Sequence, residues 1–269
     1  MSQNPYNNLL VSTENKVCRV VLNRPELHNA FNAELIGELH TVFEAVAERA
    51  PDQVRVVVLS GAGKSFCAGA DVNWMRASLD ATQSENVGDA LRMAHMFDVI
   101  DRCPVPVIGR VHGACIGGGV GLAAVCDIVV VSPETKWAFS EAKLGIAPAV
   151  ISTFVLPKIG QSHARALFFT AERFSAERAV QIGLAHSVVP AEGLDVEVER
   201  LVAEVLSSGP HGIARAKMLI RAAAEMSHAE AIQFTAETIA ALRVGPEGQE
   251  GLKAFLEKRH AAWRVDADK

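Results

Sequence analysis

The stretch IGGGVGLAAVCDI, residues 116–128, places three consecutive glycines, Gly117 to Gly119, ahead of a short apolar run. Glycine loses more backbone freedom on ordering than any other residue, so it is a costly way to begin a helix. A helix that starts there offers unpaired N–H groups and the positive end of its dipole to whatever approaches. Working outward, VCRVVLN (17–23), VRVVVLSG (54–61), PVPVIGRVHG (104–113), DIVVVS (127–132) and KWAFS (136–140) are short and β-branched or apolar, and they predict strands. AELIGELHTVFEAVAER (33–49) and residues 85–101 carry apolar residues at helical spacing, and 62–73 read as a loop. Strand, helix and strand thus alternate as in an α/β sheet with crossover helices. Beyond about residue 160 the pattern predicts mainly helices: ALFFTAERFSAERAVQIGL, 194–207, 212–225, 228–242 and an amphipathic 251–263 with a basic end.

Composition narrows the classes. With 269 residues, 49% hydrophobic and 21% charged, the chain is long enough for a large packed core and does not resemble a disordered segment. A net charge of -5 leaves no basic footprint for nucleic acid. No apolar run reaches the roughly 18 residues that a membrane span requires, and MSQNPYNNLL has no signal-peptide pattern. The cysteines at 18, 67, 103, 115 and 126 are odd in number and lack C-x-x-C spacing, which fits reduced thiols and a cytoplasmic location. No metal site is expected, because no His pair has ligand spacing.

Two nucleotide motifs come close and fail. SGAGKSF (60–66) contains Gly-Lys-Ser, but a phosphate loop would need its first glycine at Val58. Gly119-x-Gly121-x-x-Ala124 satisfies a permissive dinucleotide fingerprint, yet the following strand ends in Ser132 where an acid should grip the ribose. A nicotinamide oxidoreductase therefore stands as the rival from another enzyme class. SFCAGADVNWM (65–75) is a second small-residue turn after a different strand. Two turns offering one N–H each to a single carbonyl oxygen make an oxyanion hole.

RPELHNAF, SFCAGAD, GACIGGGVGLAAVCDI and FSEAKLGIAP together resemble, in order and spacing, the enoyl-CoA hydratase/isomerase (crotonase) family. The resemblance runs on through RFSAERAVQIGLAHSVVP (173–190) to GLKAFLEKR, nearly the whole chain. It implies a crotonase-like spiral of repeated ββα units, with an α/β core over 1–195 and a helical trimerisation region over 196–269. It also implies a homotrimer or dimer of trimers and an acyl-CoA thioester as substrate, with no cofactor beyond that coenzyme A. By motif match the oxyanion N–H groups belong to Ala70 and Gly118. Arg24, Glu26, Leu27 and Ala68 correspond to the CoA-binding segments, and Asp71, Val72 and Gly121 to further substrate contacts. Phe255 and Lys258 match positions that reach a neighbouring subunit's CoA. Asp71 and Asp127 equally suit turn-fixing or helix-capping roles, Trp74 and Met75 suit an acyl pocket or the core, and His28, His95 and His112 are given no catalytic role.

The resemblance implies two glutamates for a hydratase. The later one matches Glu141 in AFSEAKLG; the earlier one is missing, because Gly121 takes its place. IAPAVIST (146–153) also departs from a glycine-rich family segment. Hydration needs a base for water and an acid for the α-carbon, and one carboxylate can serve both in turn. One carboxylate can also shuttle a proton between carbons, so a double-bond isomerase remains the alternative. GADVNWMR and SEAKLGIAPAVIS resemble the methylglutaconyl-CoA and isohexenylglutaconyl-CoA hydratase branch. Gly121 is expected to open space for a branched acyl chain of that kind.

Overall fold

The computed structural model describes residues 5–264; the outermost residues of the two expected spans, 1–4 and 265–269, lie outside the described part. Two sheets organise the chain. The larger has six strands: β1 (Leu9–Glu14), β2 (Val17–Leu22), β3 (Val56–Gly61), β4 (Val107–Val111), β6 (Ile128–Val131) and β9 (Ser187–Val188), in that spatial order. Only the β1–β2 pair is antiparallel. The smaller contains β5 (Ala114–Ile116), β7 (Lys136–Ala138) and β8 (Arg173–Phe174).

Between strands run α1 (Ala33–Arg49), α2 (Val72–Ala77), α3 (Gln83–Asp101), α4 (Gly118–Ala124) and α5 (Ala149–Thr170). After β8 come α6 (Ala176–Gln181), α7 (Leu194–Ser207), α8 (Pro210–Glu225), α9 (His228–Val244) and α10 (Pro246–Leu256). Each winding repeats one sequence: a strand of the large sheet, a short strand beside the small sheet, then a helix. β4–β5–α4 and β6–β7–α5 are complete examples. The crotonase-like spiral is therefore the architecture.

The large sheet is buried on both faces, as a parallel sheet must be. In β3, Val57 and Leu59 join the core beneath α1 and α3, while Val56 and Val58 face the other way. That second face is covered by α7, which buries Leu194, Val198 and Val202 one turn apart. Full burial of such side chains is worth about 1.5–3 kcal/mol apiece. α1 follows the same rule with Leu35, Leu39, Val42, Phe43 and Val46 inward, and Asn32 caps its first turn through Leu35 N–H at 2.8 Å.

The differences from the sequence reading have local causes. β1 was not expected, because LLVSTE buries only Leu9. Val72 and Asn73, expected within the loop 62–73, instead open the short helix Val72–Ala77, where Asp71 accepts the Asn73 N–H at 2.8 Å. β5 separates β4 from the glycines. α5 already begins at Ala149 and is interrupted at Gly160, whose φ of 66° is left-handed. The helix expected through ALFFTAERFSAERAVQIGL stops at Thr170 and gives way to β8. The last helix ends at Leu256, not at 263, with Arg259 folded back onto Glu250 at 2.7 Å.

Candidate active site

Two turns meet at the start of α4. Cys67 pairs in parallel with Cys115, donating its N–H to Ala114 at 3.0 Å and accepting from Ile116 at 3.0 Å. Beyond this pair the chain turns through Gly69, which brings the Ala70 turn up to the first residues of α4. The approach is tight: a Cβ on Gly69, whose φ is +94°, would lie 2.9 Å from the Ile116 carbonyl oxygen. Among the described residues, neither the Ala70 nor the Gly118 N–H has a protein acceptor. The segment after β2 secures the arrangement from outside. Phe31 N–H donates to Gly69 at 2.7 Å, Asp71 N–H to Phe31 at 2.8 Å, and Ala68 N–H to His28 at 3.0 Å.

Glu141 enters from the end of β7. Trp137 and Phe139 are fully buried, and Phe139 packs edge-on against Phe168 with ring centres 4.7 Å apart. That anchor delivers Ser140 and Glu141 into a 3-10 turn, Glu141–Leu144, closed by Gly145 in a left-handed conformation. The carboxylate comes to rest beside the glycines. A Cβ on Gly117 would sit 3.2 Å from Glu141 Oε1. Oε2 is buried without a hydrogen-bond partner. Burial pushes the Glu141 carboxyl above its ordinary range, opposed only by the residue's own backbone N–H. Such a group can take and return a proton nearer to neutrality than an exposed glutamate.

The expectation that Gly121 opens space is corrected by the packing. Gly121 is fully buried in α4, and a Cβ there would lie 2.3 Å from Ile151 Cγ2 and 3.0 Å from Phe97 Cζ. The volume is occupied by side chains from α5 and α3. Phe97 also meets Phe31 edge-on at 6.2 Å and Phe154 at 5.8 Å, so this side of α4 is apolar and closed.

The other expected contacts are scattered in character. Arg24 is turned inward: its guanidinium pairs with Asp71 at 2.8 Å and also donates to the Ala30 carbonyl, and both side chains are nearly buried. Burial raises the Asp71 carboxyl, but the Arg24 bond and the Asn73 N–H outweigh it and hold it below its ordinary value. The pair joins the segment after β2 to the Ala70 turn. Glu26, Leu27 and Val72 are exposed, and Ala68 is half-buried. Phe255, 81% exposed, and the exposed Lys258 lie at the end of α10, which packs on α8 and α9. Asp127 accepts from Val107 N–H at 2.7 Å and from Lys217 at 2.6 Å, a fastening role. A cavity of about 510 Å³ on the α7 face shares none of these residues, and its two arginines are engaged by Glu199 and Asp195.

Sequence reasoning missed Asn29, Phe97 and Ile151. Asn29 is completely buried with a left-handed φ of 56°; it accepts from Arg24 N–H at 2.9 Å and donates to the Ala62 and Ser65 carbonyls. The Asn in RPELHNAF was the available signal. The dinucleotide rival loses its structural unit. The strand before the glycines, β5, belongs to the small sheet and the strand after α4, β6, to the large one. A dinucleotide fingerprint would require neighbouring parallel strands of a single sheet.

The profile of the enoyl-CoA hydratase/isomerase family matches residues 12–266. A crotonyl-CoA hydratase of Syntrophomonas wolfei is 32% identical, the match covering 95% of this chain and 97% of that protein. The human mitochondrial Delta(3,5)-Delta(2,4)-dienoyl-CoA isomerase is 34% identical, over 86% of this chain and 74% of that one. The crystal structure of an enoyl-CoA hydratase from Shewanella pealeana superposes with a TM-score of 0.92 at 36% identity, covering 96% of this chain and 97% of that chain. The chain belongs to the enoyl-CoA hydratase/isomerase family, a family of enzymes.

Proposed function

We propose that this family member is an enoyl-CoA hydratase, adding water to an α,β-unsaturated acyl-CoA thioester or removing it. The observation that carries the reading is the meeting of a buried carboxylate, Glu141, with the glycine turn at Gly117 and Gly118, against which the turn of Gly69 and Ala70 is packed. In this reading the Ala70 and Gly118 N–H groups hold the thioester oxygen and stabilise the negative charge that forms there. Glu141 takes a proton from water as the water oxygen bonds to the β-carbon. The π electrons move onto the thioester oxygen. Glu141 then gives its proton to the α-carbon as the carbonyl re-forms. Protons and electrons balance without a cofactor other than the coenzyme A of the substrate.

Double-bond isomerisation is the second reading, and the packing at Gly121 favours it specifically. With Ile151 and Phe97 filling that place, Glu141 works without a second carboxylate from α4, which suits a proton shuttle between carbons. The branch resemblance supports a branched glutaconyl-type acyl chain; the packing at Gly121 lends that substrate no support. Turnover in heavy-oxygen water decides between the readings. A panel of straight, methyl-branched and carboxylated 2-enoyl and 3-enoyl thioesters is incubated and the products weighed. Label at the β-carbon is expected, whereas a shifted double bond without label would overturn hydration in favour of isomerisation.

The same reading assigns the site to the core through residue 195 and assembly to the helices beyond it. Ile220, Val244, Phe255 and Leu256 are each more than three-quarters exposed in the single chain, which supports a homotrimer or dimer of trimers. In such an assembly Phe255 and Lys258 would serve a neighbour's site, and Arg24, Glu26, Leu27, Ala68, Asp71 and Val72 would line the coenzyme A path of their own. A cytoplasmic location is supported by the five buried, unpaired cysteines. No described helix is long and apolar enough to cross a membrane.

A further inference from the structure

Glu141 has a neighbour that the proposed chemistry has not used. A Cβ on Gly117 would meet three nearest atoms: Glu141 Oε1 at 3.2 Å, Glu141 Cδ at 3.7 Å and Ser140 Oγ at 3.9 Å. Two oxygens of different kinds thus approach the same point beside the Gly117 backbone. One is an acceptor that gains a proton. The other is a hydroxyl, able to accept and donate together. Among the described residues the Ser140 hydroxyl makes no hydrogen bond; only its carbonyl is used, by Lys143 N–H at 3.1 Å. Ser140 is half-buried, and its hydroxyl is not among the sealed, unpartnered atoms, so water can reach it.

A nucleophilic water needs more than a base. The carboxylate fixes one O–H, and the second O–H must be held too if a lone pair is to face the β-carbon. Across α4 the place beside Gly121 is closed by Ile151 and Phe97, both apolar. On the Glu141 side the uncommitted polar group beside Oε1 is Ser140.

We infer that Ser140 holds the attacking water, its Oγ accepting the O–H that Glu141 does not take. Ser140 neither gains nor loses a proton over the cycle. The inference rests on the hydratase reading and names the residue that lets one carboxylate perform it. Phe139, anchored against Phe168, fixes Ser140 and Glu141 as consecutive residues of one turn, so base and water holder are positioned together.

The test separates water addition from proton transfer. Wild type, Ser140→Ala and Ser140→Thr are compared in two assays. One is hydration of a 2-enoyl-CoA in heavy-oxygen water. The other is exchange of α-hydrogens of a saturated acyl-CoA in heavy water, which needs Glu141 and the oxyanion donors but no nucleophile. Ser140→Ala is expected to lose about tenfold or more in hydration, the scale of one hydrogen bond to a reacting group, with exchange within about twofold of wild type. Ser140→Thr, which keeps the hydroxyl, is expected to recover most of the hydration. Equal losses in both assays, or unchanged hydration in the alanine variant, would overturn the role of Ser140. Absence of label in the wild-type product overturns the hydratase reading itself, and Ser140's role with it.

Discussion

The residue that caps α4, Gly117, and one inside it, Gly121, are both glycine, and for opposite reasons. At Gly117 a side chain would crowd the Glu141 carboxylate, 3.2 Å away, and lie 3.9 Å from the Ser140 hydroxyl. At Gly121 the missing side chain leaves no room, because Ile151 and Phe97 already fill the place. One glycine serves the reaction by keeping a side chain off the carboxylate; the other serves the fold by what it admits. A shortened side chain therefore says nothing about free volume until the neighbours are known.

The largest effect should come from the chemical side of this contrast. Glu141→Gln preserves shape but removes the group that moves the proton. Turnover is expected to fall by about 100- to 10,000-fold, the usual contribution of a general acid–base group. KM for the thioester should change little, since the oxyanion turns are untouched. Steady-state kinetics with the best substrate checks it, and near-normal turnover removes Glu141 from the mechanism.

The packing side is broken through stability. Ile151→Ala should cost about 2–5 kcal/mol, as large-to-small core changes do. Gly121→Ala should cost about 1–3 kcal/mol, because its methyl is driven into Ile151 Cγ2. Together the two should cost less than their sum, since the new methyl enters the volume Ile151 gave up. Urea unfolding of the four proteins measures the coupling. Strict additivity would show that the two side chains do not compete for one space.

Gly117→Ala should cost less than Ile151→Ala, about 1–3 kcal/mol, from a φ of +52° that alanine rarely adopts. Its catalytic loss should exceed that of Gly121→Ala, because the methyl lands 3.2 Å from Glu141 Oε1 and crowds the carboxylate. Comparing kcat for the two variants, each at a temperature where it is folded, sharpens the contrast. Equal kcat values would show that crowding at Gly117 does not reach the reaction.

The strands of the large sheet and the helix over 33–49 were legible in the sequence because their patterns are local: β-branched runs and apolar residues one turn apart. β1 was not, since its pairing with β2 hides nothing but Leu9 on the buried face. The carboxylate and both glycine turns could be named from motifs, but their meeting could not, because it depends on the register of Cys67 with Cys115. Two departures stood in the sequence as separate oddities, Gly121 and the replacement of a glycine-rich segment by IAPAVIST. Packing joins them, because Ile151 in that segment fills the place a side chain at 121 would take. Arg24 was matched to the coenzyme A-binding segment, and its partner was hidden for a similar reason. A positive charge near a coenzyme A segment suggests phosphate, and only the fold shows the guanidinium bound to Asp71.

The smallest effect is a titration. Burial holds the Glu141 carboxyl above its ordinary range, so the folded protein keeps that proton to a higher pH than the unfolded chain does. Below the unfolded value both states are protonated and the group contributes nothing. As pH rises through the folded value the native state must bear a buried charge, and stability falls to a constant deficit. Glu141→Gln bears no such charge. It should therefore be slightly more stable than wild type at neutral pH, with the advantage fading as pH drops from the raised folded value towards the ordinary glutamate range and absent below it. The same titration governs catalysis in the other direction, because Glu141 must be ionised to take a proton from water. Wild-type kcat/KM should fall on the acid side with an apparent pKa above that of an exposed glutamate. A stability advantage for Glu141→Gln that does not change with pH, or an acid limb at the ordinary glutamate value, would show that the carboxylate beside Gly117 is solvated, and the contrast between the two glycines would lose its electrostatic half.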